Sequence, residues 1–294
     1  MNKILVILGP TATGKSYLAV KIAQKYNGEV VSADSRQVYR GLDIGTGKMT
    51  PEEMQGIPHH LIDVISPTEV FSVSDFQKQA GDAIRDIVAR GKLPIICGGT
   101  GFYIQSIVDG ISLPEVPPNK ELREELEKKN LGELAEILRN LDPDRLASVD
   151  VQNSVRLIRA IEVAEALGKV PETKKENRYD ALQVGLTLPD QELKDRIHAR
   201  LLTRLEKGMV AEAEKLHAEG VSWERMRQLG LEYRFLADYC EKKITLEELT
   251  LGLEKEIWQY AKRQMTWFKR DKKIRWFSPA DIKGIFSEIE KFLT

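Results

Sequence analysis

Cysteine is scarce in this 294-residue chain, which has only Cys97 and Cys240, far apart and without metal-ligand spacing. Two such residues build neither a disulfide framework nor a zinc finger, and both read as core thiols. Long apolar runs are also missing. No segment reaches the roughly 18 residues of a membrane span, and the apolar stretch of residues 4–8 is shorter than the roughly 7 residues of a signal-peptide core. A cytoplasmic protein without a membrane partner is therefore expected. Nor does one sign of charge dominate: 44 Lys and Arg face 45 Asp and Glu, for a formal net charge of -1. That balance excludes a uniformly basic nucleic-acid coat. The guanine-reading N-K-x-D is absent, because Asn119-Lys120 is followed by Glu121-Leu122, which disfavours a GTP-dependent switch.

What is present suffices for a sizeable core, since 42% of residues are apolar and 30% charged. Residues 4–8 read as a buried strand, and residues 16–26 carry Leu18, Ala19, Ile22 and Ala23 at helical spacing. Short strands follow at 29–32 (EVVS) and 93–97 (LPIIC). Between them, residues 75–90 place Phe76, Ala80, Ala83, Ile84, Ile87 and Val88 on one helical face, with Gly91 as the stop. This alternation predicts an α/β fold, a P-loop-type parallel sheet with helices on both faces. From residue 113 the composition shifts to charged helical sequence, over 120–140 and 153–167, until a further strand pattern at 181–188. The expected organisation is an α/β core of residues 1–113 and 181–294 with a helical insertion at 114–180. No internal repeat or low-complexity tract is visible.

Gly9, Pro10, Thr11, Ala12, Thr13, Gly14, Lys15 and Ser16 fit G-x-x-x-x-G-K-[ST], after a buried strand and before a helix. Glycines let backbone N–H groups turn around an anion, and the helix start adds unpaired donors and its dipole. Lys15 supplies a point charge and Ser16 a hydroxyl for Mg2+. The motif leaves open whether the bound phosphate is a phosphoryl donor or a leaving group. Proteins that transfer phosphoryl groups usually end a second apolar strand in an acid that holds Mg2+. Here LPIIC ends in Gly98-Gly99-Thr100-Gly101. Asp63 is a possible substitute, or a loop residue with a local hydrogen bond.

Past the second strand, Asp34 has two readings, a turn or helix cap or a base within reach of a substrate. Ser35, Arg36 and Gln37 add polar groups beside it, and Thr100 projects a hydroxyl into the same crevice at the carboxyl ends of the strands.

GPTATGKS, SADSRQVYRGLDIGTGK, IPHHLIDV, ICGGTGFYI and AKRQMTWFKR, in that order over residues 4–277, resemble the bacterial type of tRNA dimethylallyltransferase, also called tRNA isopentenyltransferase. The resemblance implies transfer of a dimethylallyl group from dimethylallyl diphosphate to the exocyclic amine of the adenosine just 3′ of a tRNA anticodon. The glycine loop would then hold diphosphate as a leaving group, with Mg2+, which accounts for the missing acid. The resemblance assigns Asp34 as the base, with Lys15 and Thr100 supporting catalysis and Arg263 as a further diphosphate contact. It places Ser35, Arg36 and Gln37 on the extruded nucleotide, and Arg156, Arg159, Arg227 and Gln228 on the tRNA. Lys262, Arg263, Gln264, Thr266, Trp267 and Lys269 in the late motif carry the same implication. Leu231-Glu232 departs from the family's aromatic-then-basic pair, so the resemblance assigns no tRNA contact to these two positions. Eukaryotic relatives can append a zinc finger, for which this chain has no cysteines. A monomer is expected.

The basic residues Lys262, Arg263, Lys269, Arg270, Lys272, Lys273 and Arg275 are interleaved with Trp267, Phe268, Trp276 and Phe277. The mixture suits phosphate contacts and base stacking; the alternative is an amphipathic C-terminal helix with core aromatics and solvated charges. His59 and His60 read as loop or packing residues, and His198 and His217 as helix-surface residues. Two other functions compete. An ATP-dependent small-molecule or nucleoside monophosphate kinase would use the same loop, and a nucleotide-dependent RNA-binding module would transfer nothing.

Overall fold

Strand β1 (Asn2–Leu8) alternates its side chains between two cores, Ile4, Val6 and Leu8 on one face and Leu5 and Ile7 on the other. In the computed structural model, which describes every residue except Thr173, it lies inside a six-stranded sheet paired in parallel throughout. The chain continues through α1 (Lys15–Tyr26), β2 (Gly28–Ala33), α2 (Pro51–Met54), β3 (His59–His60), α3 (Val73–Ala89), β4 (Leu93–Gly98) and α4 (Gly101–Val108). Next come α5 (Lys120–Leu126), α6 (Leu131–Leu141), α7 (Pro143–Ser148) and α8 (Ser154–Leu167). The remainder is β5 (Tyr179–Leu186), α9 (Asp190–Glu206), α10 (Met209–Ala218), α11 (Trp223–Leu229), α12 (Leu231–Cys240), α13 (Leu246–Phe268), β6 (Arg275–Phe277) and α14 (Ile282–Leu293). The strand order is β3-β2-β4-β1-β5-β6.

Helices cover both faces. Leu18, Ala19, Ile22 and Ala23 of α1 join Ile285 and Ile289 of α14 over Leu5, Ile7 and Val184. The opposite core gathers α3, α4 and α9 to α13 around Ile4, Val6, Leu8 and Ile96. Cys97 is buried in the first of these cores, and Cys240 packs at the edge of the second. No helix among the described residues is long and apolar enough to cross a membrane.

The chain divides into two units, residues 1–110 with 177–294 and residues 111–176. The smaller unit is helical around Leu126, Leu134, Leu138, Leu157 and Ile161. Its charged centre is buried Glu162, which accepts from the Asn119 N–H at 2.7 Å, from Arg123 Nε and Nη2 at 2.8 Å each, and from Arg159. Burial alone would raise this carboxyl, but the two guanidiniums outweigh it and hold the pKa to about 2. The helical sequence expected over 120–140 is broken, because Asn130 caps a new helix with bonds from the Gly132 and Glu133 N–H groups.

Two short strands escape the sequence pattern. His59 and His60 pair with Val30 and Val31 at the sheet edge, and Arg275, Trp276 and Phe277 pair with Val184, Gly185 and Leu186. The segment of residues 262–277 is thus not one amphipathic helix: α13 ends at Phe268 and the chain re-enters the sheet as β6. A period of two over three residues is too short to register against the helical pattern before it.

Candidate active site

Parallel pairing brings the carboxyl ends of three strands to one level, since Leu8 of β1 and Ala33 of β2 both register with Gly98 of β4. The segments leaving them meet in one crevice, as open α/β sheets arrange. The first is the loop of residues 9–14. Gly9 has φ +138°, and a Cβ there would strike the Leu186 carbonyl oxygen, so only glycine lets the loop leave β1 along this path. It delivers the chain to α1, whose first turn has no side-chain cap. Helix α4 after β4 also starts without one. Two sets of helix N-terminal donors therefore remain for an anion at this end of the sheet.

Within the loop, Lys15 Nζ donates to Pro10 O at 2.7 Å and Thr13 Oγ1 donates to the same oxygen at 2.9 Å. Burial, with a smaller contribution from the Arg200 charge, lowers the Lys15 pKa to about 8 against the opposing effects of Cys97 and Asp34. Ser16 lies beside Cys97, whose thiol burial pushes up to about 11.

Asp34 follows β2. Its Oδ1 accepts from the Arg36 N–H at 2.9 Å and the Gln37 N–H at 3.3 Å, an Asx turn that fulfils the capping reading. Its other oxygen has no hydrogen-bond partner among the described residues. Thr100 Oγ1 accepts from the Ser35 N–H at 3.0 Å, which ties the β2 and β4 exits together, and lies near Tyr260. The Arg36 guanidinium donates to the Ser35 carbonyl, and Gln37 Oε1 accepts from Ser32 Oγ at 3.2 Å.

Helix α13 closes one side. Gln264 is buried, with Oε1 accepting from the Thr11 N–H at 2.9 Å and Nε2 donating to Gly99 O at 2.9 Å. The amide expected on tRNA is thus committed to joining the glycine loop to the turn after β4. Gly99 has no Cβ to block it; one would fall on Gln264 Nε2. Trp267 packs on the core edge-to-face with Phe102 at 6.2 Å.

Around the opposite side stand residues that the motifs do not single out. Arg200 Nη1 lies 3.5 Å from Thr11 Oγ1 and its Nη2 donates to Gly47 O at 3.2 Å. Burial, together with the nearby Arg204 charge, lowers its pKa to about 10. Arg204 donates to Gly45 O at 3.2 Å and pairs with Glu232 at 3.3 Å. Glu212 holds the same stretch from its N–H side, accepting from Asp43, Ile44 and Gly45. A signal for α9 was available: Arg196, Arg200 and Arg204 recur every four residues, one face of a helix.

The other expected positions fall as follows. Lys262, Arg263, Thr266 and Lys269 are exposed on α13 and its C-cap, with Arg270, Lys272 and Lys273 just beyond. Among the described residues only Arg275 of this basic group has a carboxylate partner, Glu288. Trp276 and Phe277 pack against the cores. Arg156 is exposed and pairs with Asp150 at 3.2 Å, whereas Arg159 turns its guanidinium onto Glu162 and Val116 O. Arg227 is ringed by Asp238, Glu241 and Glu224, and exposed Gln228 accepts from Arg225. Asp63 lies in a loop with φ +57° and is paired with Lys48, the local bond that the loop reading expects. His60 bonds Glu29 at 2.7 Å, and His217 stacks on Trp223.

Among the described residues no group of three or more His, Cys, Asp and Glu could hold a metal ion. The donor set near the loop is one hydroxyl, Ser16, which suits a hard dication that takes its remaining oxygens from a bound phosphate and water.

The family model described as "IPP transferase" matches residues 37–271. A tRNA dimethylallyltransferase 2 from Treponema denticola is 46% identical over 275 residues, covering 92% of each chain. The crystal structure of the tRNA isopentenylpyrophosphate transferase from Bacillus halodurans is similar with TM-score 0.75 and 38% identity, covering 100% of this chain and 96% of that one. A eukaryotic dimethylallyltransferase acting on tRNA gives TM-score 0.82 at 28% identity, covering 96% of this chain and 75% of its own.

Proposed function

The chain belongs to the IPP transferase family, the tRNA dimethylallyltransferases, and we propose that it moves a dimethylallyl group from dimethylallyl diphosphate to the N6 amine of the adenosine 3′ of a tRNA anticodon. The observation that carries this reading is the pairing of an anion-suited glycine loop with Asp34 where β4 ends in Gly98, followed by Gly99 and no acid. P-loop enzymes that transfer phosphoryl groups usually hold their metal with such an acid, and its absence disfavours phosphoryl transfer.

Adenine's amine is a weak nucleophile because its lone pair is delocalised into the ring. In the proposed step its nitrogen bonds to the allylic carbon, the carbon–oxygen bond breaks, and diphosphate leaves with the electron pair. The amine proton passes to the unpartnered oxygen of Asp34. Lys15, the free donors of the loop and α1, and Arg200 would take up the negative charge growing on the departing oxygen. Ser16 is the residue that would hold Mg2+, which when bound neutralises diphosphate charge. The target base must leave its stack, and anticodon-loop flexibility lowers that cost. Ser35, Arg36 and Gln37, next to Asp34 in the turn, are proposed to meet it, with the basic surface after Lys262 on the surrounding phosphates.

Incubation with undermodified tRNA, dimethylallyl diphosphate and Mg2+ tests the reading by nucleoside mass. An unchanged mass, with ATP-dependent phosphorylation of a small acceptor, would replace it by the kinase.

A pH dependence follows from Lys15. With its pKa at about 8, the free enzyme loses this charge as pH rises through 8, and diphosphate pairs only with the charged form. The KM for dimethylallyl diphosphate should climb above that pH, by up to about tenfold per unit. Lys15→Arg stays protonated and should flatten the rise; a wild-type KM constant from about pH 7 to about pH 9.5 would show that Lys15 is not the anion partner.

The basic surface predicts a salt effect. Lys269 and Arg270 are exposed with no carboxylate partner among the described residues. Replacing either by Ala should lower the slope of log K for tRNA against log salt by about one. Unchanged slopes in filter binding would put the RNA elsewhere.

A further inference from the structure

Three cations, Lys15, Arg200 and Arg204, crowd the anion side of the crevice, and burial depresses the pKa of the first two. Among the described residues only one of them has a direct carboxylate partner: Arg204, 3.3 Å from Glu232. Glu232 is the second residue of helix α12, behind Gly230, and its side chain is mostly covered. Burial raises the pKa of its carboxyl, and the Arg204 and Arg200 charges pull the other way, holding the anion, while Asp34 adds to the rise. Arg204 is separately held by Gly45 O, so the 3.3 Å ion pair is not its sole anchor. The carboxylate therefore matters more as a charge than as a tether.

We propose that Glu232 is a built-in counter-anion of the diphosphate site, a positioning residue that balances Arg204 and thereby sets how tightly diphosphate is held and released. The inference rests on the reading of the glycine loop as a diphosphate site. Without the carboxylate, three cations, Arg204 buried and Lys15 and Arg200 half-buried, would stand together in the crevice with none of them ion-paired, an arrangement that burial makes costly. With it, the ligand-free site is less strained and departing diphosphate meets a weaker net positive field. Because dimethylallyl diphosphate and free diphosphate present the same diphosphate group, the effect is on binding of both, with no gain in turnover.

The signs are opposite for the two partners. Glu232→Gln adds one net positive charge and should tighten binding of inorganic diphosphate with Mg2+ about tenfold by calorimetry, with the KM for dimethylallyl diphosphate falling in parallel. Arg204→Met leaves the carboxylate uncompensated and should weaken both by at least about tenfold. The double variant restores the wild-type net charge and should bind within about threefold of wild type. Bound diphosphate should also raise the Tm of Glu232→Gln more than that of wild type. A structural role alone would lower Tm equally with and without diphosphate and leave its affinity unmoved, which would overturn the proposal. So would weaker binding by Glu232→Gln, or a double variant that does not lie between the two singles. Should Glu232→Gln fail to fold, Arg204→Met and the double variant still decide, since the second must bind more tightly than the first. Lys15→Ala separates the two readings: diphosphate binding that survives it counts against the loop as the site, whereas its loss with unchanged affinity in Glu232→Gln counts against Glu232 alone.

Discussion

Asp34→Asn is expected to cut turnover by about 10²- to 10⁴-fold while tRNA affinity stays within about threefold of wild type. The choice of Asn over Ala comes from the turn. Asp34 Oδ1 accepts from the Arg36 and Gln37 N–H groups, and an Asn carbonyl can take both. The turn that carries Ser35, Arg36 and Gln37 then survives, and only the ability to accept a proton is lost. Ala would remove both functions, so its larger effect would not identify the base. Single-turnover assays with saturating tRNA and dimethylallyl diphosphate separate chemistry from binding. Turnover by the Asp34→Asn variant within about tenfold of wild type would leave Asp34 with the capping role alone.

Gln264→Leu should affect the protein twice over. The substitution orphans the Thr11 N–H and the Gly99 carbonyl, each inside a crevice wall. An unpaired buried polar group costs about 1–3 kcal/mol, so the pair amounts to roughly 2–6 kcal/mol, a large part of a stability of about 5–15 kcal/mol. For a domain of this size about 2–4 °C of Tm is lost per kcal/mol, so a fall of roughly 10 °C is expected. At temperatures where the variant is folded, diphosphate affinity should still fall at least about tenfold, because the loop has lost the anchor that fixes its donors. Gln264→Glu keeps an acceptor for Thr11 but sets an oxygen against Gly99 O, and should lie between Leu and wild type. Wild-type Tm and diphosphate affinity in Gln264→Leu would mean that the loop holds itself.

The two substitutions differ in how far the sequence announced them. The glycine loop is visible because its spacing is local, with every part of it inside the short run from Gly9 to Ser16 behind a buried strand. Asp34 and Thr100 are visible as positions just past strands, since a parallel sheet sends such residues to one end. Gln264 also lies in a visible motif, but its partners are distant in sequence, at Thr11 and Gly99, and no periodicity encodes such a contact. The same holds for Arg200 and Arg204. Their four-residue spacing marks a helix face, yet nothing local says that the face meets the stretch from Asp43 to Gly47. Strands β3 and β6 escaped because two or three residues cannot display a period.

The sequence by itself determined the sheet and its helices, the insertion as a separate composition, the anion loop and the carboxylate beside it. These follow from hydrophobic period and from backbone freedom at glycine, which act over a few residues. The tertiary structure alone decided which charges remain available. It turned Arg159 onto Glu162 and Arg227 onto Asp238 and Glu241, returned Trp276 to the sheet, and left Lys262, Arg263, Lys269 and Arg270 exposed without acids among the described residues. A charge is useful to a ligand only where no nearer partner neutralises it, and that depends on side chains brought together by folding.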